Sequence, residues 1–291
     1  MKTAFSQIRR FHLVLAAFCS FAIWTNVRSQ VDIPRDLPYE KVNTESRRVV
    51  PYPSLREADV MWSRRIWRII DLRDKMNQFM YYPKEPTNGR RNFMDIIMKS
   101  ILEDKTLKAY DPQYDDFRLQ MTTAEVARIG VDTIRKTLTR PDPPYDEYDT
   151  VIVNPFEYSR VKKLKVKEDW FFDRQRSVLE VRILGICPVF DKLDPNTREF
   201  RGYSDMFWIY FPDLRKIIAN EEVYLRFSNI AHQITYDDVF MKRLFQSYIY
   251  KEDNIYDRRI DQYVKNGLDA LLESERIKET IRNFEHDLWE Q

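Results

Sequence analysis

The chain has 291 residues, with 48 Lys and Arg against 46 Asp and Glu for a formal charge of +2, and it holds only 5 Gly and 2 Cys. A balance this close gives no general electrostatic case for nucleic acid or an anionic membrane as partner. Two cysteines exclude a disulfide-dense scaffold and five glycines leave few phosphate-cradling loops. Stability must come from a core in which the 18 Phe, 17 Tyr and 6 Trp bury most of the area.

Lys2, Arg9 and Arg10 precede an apolar run from Phe11 to Trp24, broken only by His12 and Ser20. A membrane span takes about 20 apolar residues, so this shorter run reads as the core of a cleavable signal peptide over residues 1–29, cut after Val27-Arg28-Ser29. Cys19 lies inside the run behind Phe18, which argues against lipidation. Cleavage removes Lys2, Arg9, Arg10 and Arg28 and no acidic residue, turning the formal charge to about −2. One cysteine, Cys187, then remains, so no intrachain disulfide is expected in an exported chain.

Residues 30–53, with Pro34, Pro38, Pro51 and Pro53, read as an extended arm. Ser54 with Glu57 suggests a capping box. Leu55, Ala58, Trp62, Ile66, Ile69 and Met76 then recur near helical spacing, predicting a helix over 55–77 ended at Tyr81-Tyr82-Pro83. A second helix is expected over 92–103, burying Phe93, Ile96, Ile97 and Ile101. Thr122 with Glu125 opens a third, expected to reach Leu138 with Val126, Ile129 and Ile134 inward. Arg140-Pro141-Asp142-Pro143-Pro144 marks a boundary between a helical part (54–139) and a second part (147–291), which could also form one domain.

Beyond it the period shortens. Residues 150–154 and 159–167 alternate like strands, with Val161, Leu164 and Val166 on a buried face. A strand over 177–190 should place Leu179, Val181, Ile183 and Cys187 together. Asp194-Pro195-Asn196-Thr197 turns it back into a strand over 204–211. Helices follow over 213–220, from the Thr235/Asp238 cap to about Tyr250, and over 267–289, the last carrying Leu268, Leu271, Leu272, Ile277, Ile281, Phe284 and Leu288. The fold class is α+β: helices flanking a small antiparallel sheet, with an extended N-terminal arm.

Chemistry-bearing patterns are sparse. His232 and His286 show no metal-ligand spacing, and no metal or cofactor is expected. Cys187 sits mid-strand before Pro188, as an inert buried thiol would. Ser204 lacks the second glycine of a nucleophile elbow. Asp115-Asp116 and Asp237-Asp238 read as solvated faces or caps, the latter as the first turn of a helix. No catalytic residue stands out. Lys162-Lys163-Leu164-Lys165-Val166-Lys167 is either a docking strip for an acidic partner or lipid headgroups, or a sheet edge protected by lysines.

What remains is Trp and Tyr mixed with arginine, the composition of interface hot spots. Trp62, Trp67, Arg68, Trp170, Arg174, Tyr250 and Arg258 are the candidate protein-interface residues. The plainer reading is core aromatics with snorkelling arginines. On one helix Trp62 and Trp67 stand about 140° apart, which implies burial on two sides.

These segments resemble the GldN/PorN family of gliding-motility and type IX secretion proteins. Arg56-Glu57-Ala58-Asp59-Val60-Met61-Trp62-Ser63-Arg64-Arg65-Ile66-Trp67-Arg68-Ile69-Ile70-Asp71-Leu72-Arg73 with Tyr81-Tyr82-Pro83 is similar to its opening. Asn154-Pro155-Phe156-Glu157-Tyr158, Glu168-Asp169-Trp170-Phe171-Phe172-Asp173-Arg174, Gly185-Ile186-Cys187-Pro188, Phe207-Trp208-Ile209-Tyr210-Phe211-Pro212 and Thr235-Tyr236-Asp237-Asp238-Val239-Phe240 are similar to later blocks. The resemblance implies a non-enzymatic periplasmic scaffold. It implies a ring built with a GldK/PorK-like outer-membrane lipoprotein and contact with the inner-membrane motor protein GldM/PorM. The rival readings are a free periplasmic hydrolase and a monomeric module binding cell wall or peptide.

Overall fold

The computed structural model describes residues 46–291 except 88–89, 140–146, 195–196, 198, 224–233 and 289–291. The expected signal peptide, the arm up to residue 45, the boundary at 140–144, His232 and the Pro195-Asn196 turn lie outside those residues. The described elements are β1 (Val60–Asp71), α1 (Gln78–Tyr81), α2 (Phe93–Leu102), β2 (Ala109–Tyr110), α3 (Thr123–Arg128), β3 (Asp132–Thr139), β4 (Glu147–Asn154), β5 (Val161–Asp173) and β6 (Val178–Leu193). There follow β7 (Phe200–Asp205), β8 (Trp208–Tyr210), α4 (Phe211–Ile218), β9 (Glu222–Val223), β10 (Ile234–Thr235), α5 (Tyr236–Met241), β11 (Tyr248–Glu252), α6 (Ile260–Tyr263) and α7 (Gly267–Asp287).

The expected α+β class holds, around a seven-stranded antiparallel sheet ordered β11-β1-β5-β6-β8-β2, with β7 also paired to β6. β3–β4 is a separate hairpin, and β9–β10 a separate short pair. The pleat sends alternate residues to opposite faces. Leu164 and Val166 join the main core, while Lys163, Lys165 and Lys167 point the other way. Under the first face, α2, α4 and α5 bring Phe93, Ile97, Phe211, Leu214, Val239 and Phe240 against Ile70, Ile186 and Ile209. The second helix stands as expected, its Asn92 side chain accepting from the Asp95 N–H as cap.

The first expected helix is a strand. Glu57–Asp59 is a short 3₁₀ turn with no side-chain cap, and β1 begins at Val60. β1 lies between β5 and β11, and over Ile66 to Ile70 it is also covered on both faces. A strand buried on both sides carries a near-continuous apolar run, which over a few residues imitates a broad helical stripe. Trp62 and Trp67 do face two buried sides, because odd-numbered separations on a strand point opposite ways. Trp62 packs with Ile66, Ile277 and Ile281, Trp67 with Cys187 and Trp208.

The third expected helix keeps its capping box at Thr122 and Glu125 and its buried Val126 but ends at Arg128. Gly130 follows at φ +72°, with the Phe156 ring 2.4 Å from where a Cβ would stand; the expected helical residues 132–138 belong to β3. Similarly, the Thr235/Asp238 box opens only α5. Arg243 at φ +54° turns the chain, and Tyr248 starts β11.

Leu179, Val181 and Ile183 share a face as expected, but Cys187 lies on the other. A register shift between Lys167 and Glu168, opposite Gly185 and Ile183, adds a residue to β6, and such a bulge reverses the alternation beyond it. Leu179 packs with the α7 cluster and Ile183 in the main core, while Cys187 therefore falls on the second face. The expected strand over 204–211 is also interrupted, between Asp205 and Trp208, by the buried pair Met206 and Phe207. The lysine-rich strand is no protected edge, since β5 pairs along its length with β1 and β6.

Candidate functional site

The second face of the sheet carries its concentrated charge. Lys167, 4% exposed, donates to the Asp115 carbonyl at 2.6 Å and lies over the Trp67 and Phe117 rings. Burial lowers its pKa, against the opposing pull of Asp115. Trp67 Nε1 donates to Asp115 Oδ2 at 2.8 Å. Two residues along β5, Lys165 pairs with Asp205 at 2.6 Å. Lys163, the third of the row, lies over the Tyr203 ring, 3.9 Å from its ammonium, and stands opposite Asp71 of β1.

Lys163 and Lys165 form part of the floor of a cavity of about 620 Å³. Ile69, Val189 and Asp205 continue that floor, Tyr203, Tyr248 and Tyr250 supply rings, and Arg259, Ala270 and Leu271 close one side. That size lies within the range of ordinary ligand pockets, about 300–1,000 Å³. The Tyr250 phenol is pushed up by burial, with Arg259 pulling the other way.

The seven candidate interface residues divide in two. Trp62 stacks on Phe284 of α7 with ring centroids 4.6 Å apart. Trp67 is buried, and Trp170 donates to Glu168 Oε2 at 3.2 Å under the Arg243 guanidinium. Arg68 is 6% exposed, and burial holds its pKa down. These four make contacts within the chain. Arg174 and Arg258 are exposed, Arg258 lying over the Tyr256 ring at 4.5 Å, and Tyr250 lines the cavity.

Large apolar residues that the periodicity placed inward face solvent instead. On α7 only Ser274, Ile277 and Ile281 are buried, and Ser274 Oγ accepts from the Ile249 N–H at 2.8 Å, closing the outer edge of β11. Leu268, Leu271 and Leu272 are 71%, 50% and 60% exposed, roughly 140° round the helix from the buried row. Val151 and Val153 on β4, and Ile255 with Tyr256 after β11, are also exposed.

Among the described residues no three His, Cys, Asp or Glu come together as a metal site, and none of their helices is long and apolar enough to cross a membrane. Asp237 and Asp238 occupy the first turn of α5, where Asp237 binds Arg215 at 2.7 Å and Asp238 caps Thr235. Cys187 is fully buried, and burial pushes its thiol pKa upward. Iodoacetamide is therefore expected to leave Cys187 unmodified in the folded protein and to alkylate it fully in denaturant, as read by intact mass. Stoichiometric labelling of the native chain would contradict its burial.

An α+β fold that leaves rows of Leu and Val uncovered on α7 and β4 defines a protein with exposed apolar surface of the kind found where protein chains meet. Residues 55–290 match the family model described as "Gliding motility associated protein GldN", and the chain belongs to that family. Its family makes it a component of the gliding-motility and type IX secretion machinery, a structural family and not a known enzyme family. No curated protein matches the sequence.

Proposed function

We propose that this chain is a non-enzymatic periplasmic ring subunit, held at the outer membrane by a GldK/PorK-like lipoprotein and touching the periplasmic part of the GldM/PorM-like motor. The observation that carries the reading is the uncovered apolar surface on separate elements, Leu268, Leu271 and Leu272 on α7 and Val151 and Val153 on β4. A ring subunit needs two unlike surfaces, because head-to-tail contacts close into a ring only when each copy offers different faces to its two neighbours. A two-stranded ribbon such as β3–β4 is also only marginally stable until another element covers it. Of the predicted interface residues, Arg174 and Arg258 are exposed, and Tyr250 is half-buried in the wall of the cavity.

The test is light scattering after size exclusion of the chain co-expressed with a soluble form of the lipoprotein. A co-eluting assembly many times the mass of one subunit is expected. A monomer eluting apart from the lipoprotein sinks the reading. Leu268→Ser with Leu272→Ser should reduce the assembled fraction while moving stability by no more than about 0.5 kcal/mol per site, the usual range for exposed positions.

A further inference from the structure

We propose that the cavity on the second face of the sheet is a docking groove for a short, extended, acidic peptide segment of a partner protein. This goes beyond the ring reading and does not depend on it.

The lining residues come from five neighbouring strands in order: Tyr248 and Tyr250 from β11, Ile69 from β1, Lys163 and Lys165 from β5, Val189 from β6, and Tyr203 to Asp205 from β7. Four strand-to-strand steps of about 4.8 Å make a crossing of roughly 19 Å, the length of about six extended residues. The groove is thus longer than a small metabolite needs and matches a stretch of chain.

Its charges are unbalanced in one direction. Asp205 is taken by Lys165 at 2.6 Å. Among the described residues Lys163 and Arg259 form no salt bridge, although both line the groove: Asp71, opposite Lys163 across the β1–β5 pair, is bound by Arg73 at 2.6 Å. Asp261 is the remaining acid there, set against those two cations. An acidic segment supplies the missing charge and is steered towards the site at low ionic strength.

The apolar content points to a peptide. Ile69, Val189, Ala270 and Leu271 lie among the three tyrosines, and no hydrogen bond within the chain engages the Tyr203, Tyr248 or Tyr250 hydroxyls among the described residues. Tyrosine offers apolar area and a hydroxyl at low entropic cost, which suits recognition of alternating side chains and backbone carbonyls. A neutral glycan asks for amide and carboxylate acceptors around its hydroxyls, whereas this groove mainly offers cations, donors and aliphatic carbon.

Fluorescence anisotropy on the full chain tests the proposal, with a labelled Glu-Leu-Glu-Tyr-Glu-Leu peptide and its Lys-for-Glu counterpart as probes. The acidic probe should bind about tenfold or more tighter than the basic one, and the difference should shrink at high salt. Lys163→Ala with Arg259→Ala should remove that preference at unchanged Tm, and Lys163→Arg should keep it even if the double variant folds poorly. Equal binding of both probes, or full binding by a folded double variant, overturns the proposal. Displacement of the acidic probe by soluble muramyl-peptide fragments overturns it in favour of a cell-wall ligand. Loss of self-association in the double variant, with no probe binding to the parent chain, overturns it in favour of a second copy. Light scattering on the parent chain tests the ring reading separately, so the two can fail independently.

Discussion

Glu168→Ala is expected to destabilise the fold by about 3–5 kcal/mol, the cost of leaving buried charge without its counter-ion. Glu168 is 0% exposed, and its two oxygens lie 3.0 and 3.1 Å from Arg243 Nη2. Oε2 also accepts from Trp170 Nε1. Arg68 is buried nearby with its Nε unpartnered, and Glu168 is the charge that works against the desolvation of its guanidinium. Removing the carboxylate leaves the buried Arg68 and the partly exposed Arg243 facing each other with no carboxylate between them. Glu168→Gln keeps the shape and part of the hydrogen bonding and should cost less. Replacing Glu168, Arg68 and Arg243 together with aliphatic residues should recover most of the loss, since an apolar substitute avoids the desolvation of all three. Urea unfolding of the three variants checks this; a cost below about 1 kcal/mol for Glu168→Ala would place the cluster in the energetic class of exposed ion pairs.

Phe240→Ala should cost a similar amount, about 3–5 kcal/mol, for a different reason. Its ring is 1% exposed and stands 5.3 Å from Phe93, 5.5 Å from Phe211 and 5.7 Å from Phe245, centroid to centroid. This is where α2, α4 and α5 meet over the sheet. Truncation removes transfer energy and leaves a cavity that three other elements must collapse to fill. Phe240→Leu retains much of the volume and should lose less. The denaturation midpoint should fall with little change in m-value, because the surface exposed on unfolding hardly changes. If Phe240→Ala and Phe240→Leu prove equally mild, the cluster is not packed as described.

Local chemistry was the most legible part of the fold. The Thr122/Glu125 and Thr235/Asp238 boxes form as read, because a cap depends on four consecutive residues. α2 shows its buried stripe plainly, and Val161, Leu164 and Val166 are buried as expected. Where helices end was harder to read. Gly130 and Arg243, both at positive φ, stop α3 and α5 well before the apolar pattern fades. The β-branched and aromatic content of Val60 to Ile70 was the available sign of a strand, but its apolar spacing fits a helix equally well.

The groove was only partly visible. The lysine strip marks part of the floor, and docking on an acidic partner or lipid headgroups was one of its two readings. Tyr203, Tyr248 and Arg259 join it through pairings distant in sequence, such as Ile69 with Tyr248 and Val189 with Asp205. The hot-spot composition of Trp62, Trp67, Arg68 and Trp170 did not reveal that these residues make their contacts within the chain.

By itself the sequence determined the α+β class, the caps at Thr122 and Thr235 though not the one expected at Ser54, the inert character expected of Cys187 and the kinship carried by the blocks from Arg56 to Phe240. Those properties rest on residue identity and on neighbours within a turn or two. Only the tertiary structure decided that β1 is interior, that β5 is no edge, and that Leu268, Leu271 and Leu272 stay outside while Ile277 and Ile281 go in. Periodicity states that an element has an apolar face, but which face is covered depends on what the rest of the chain sets against it.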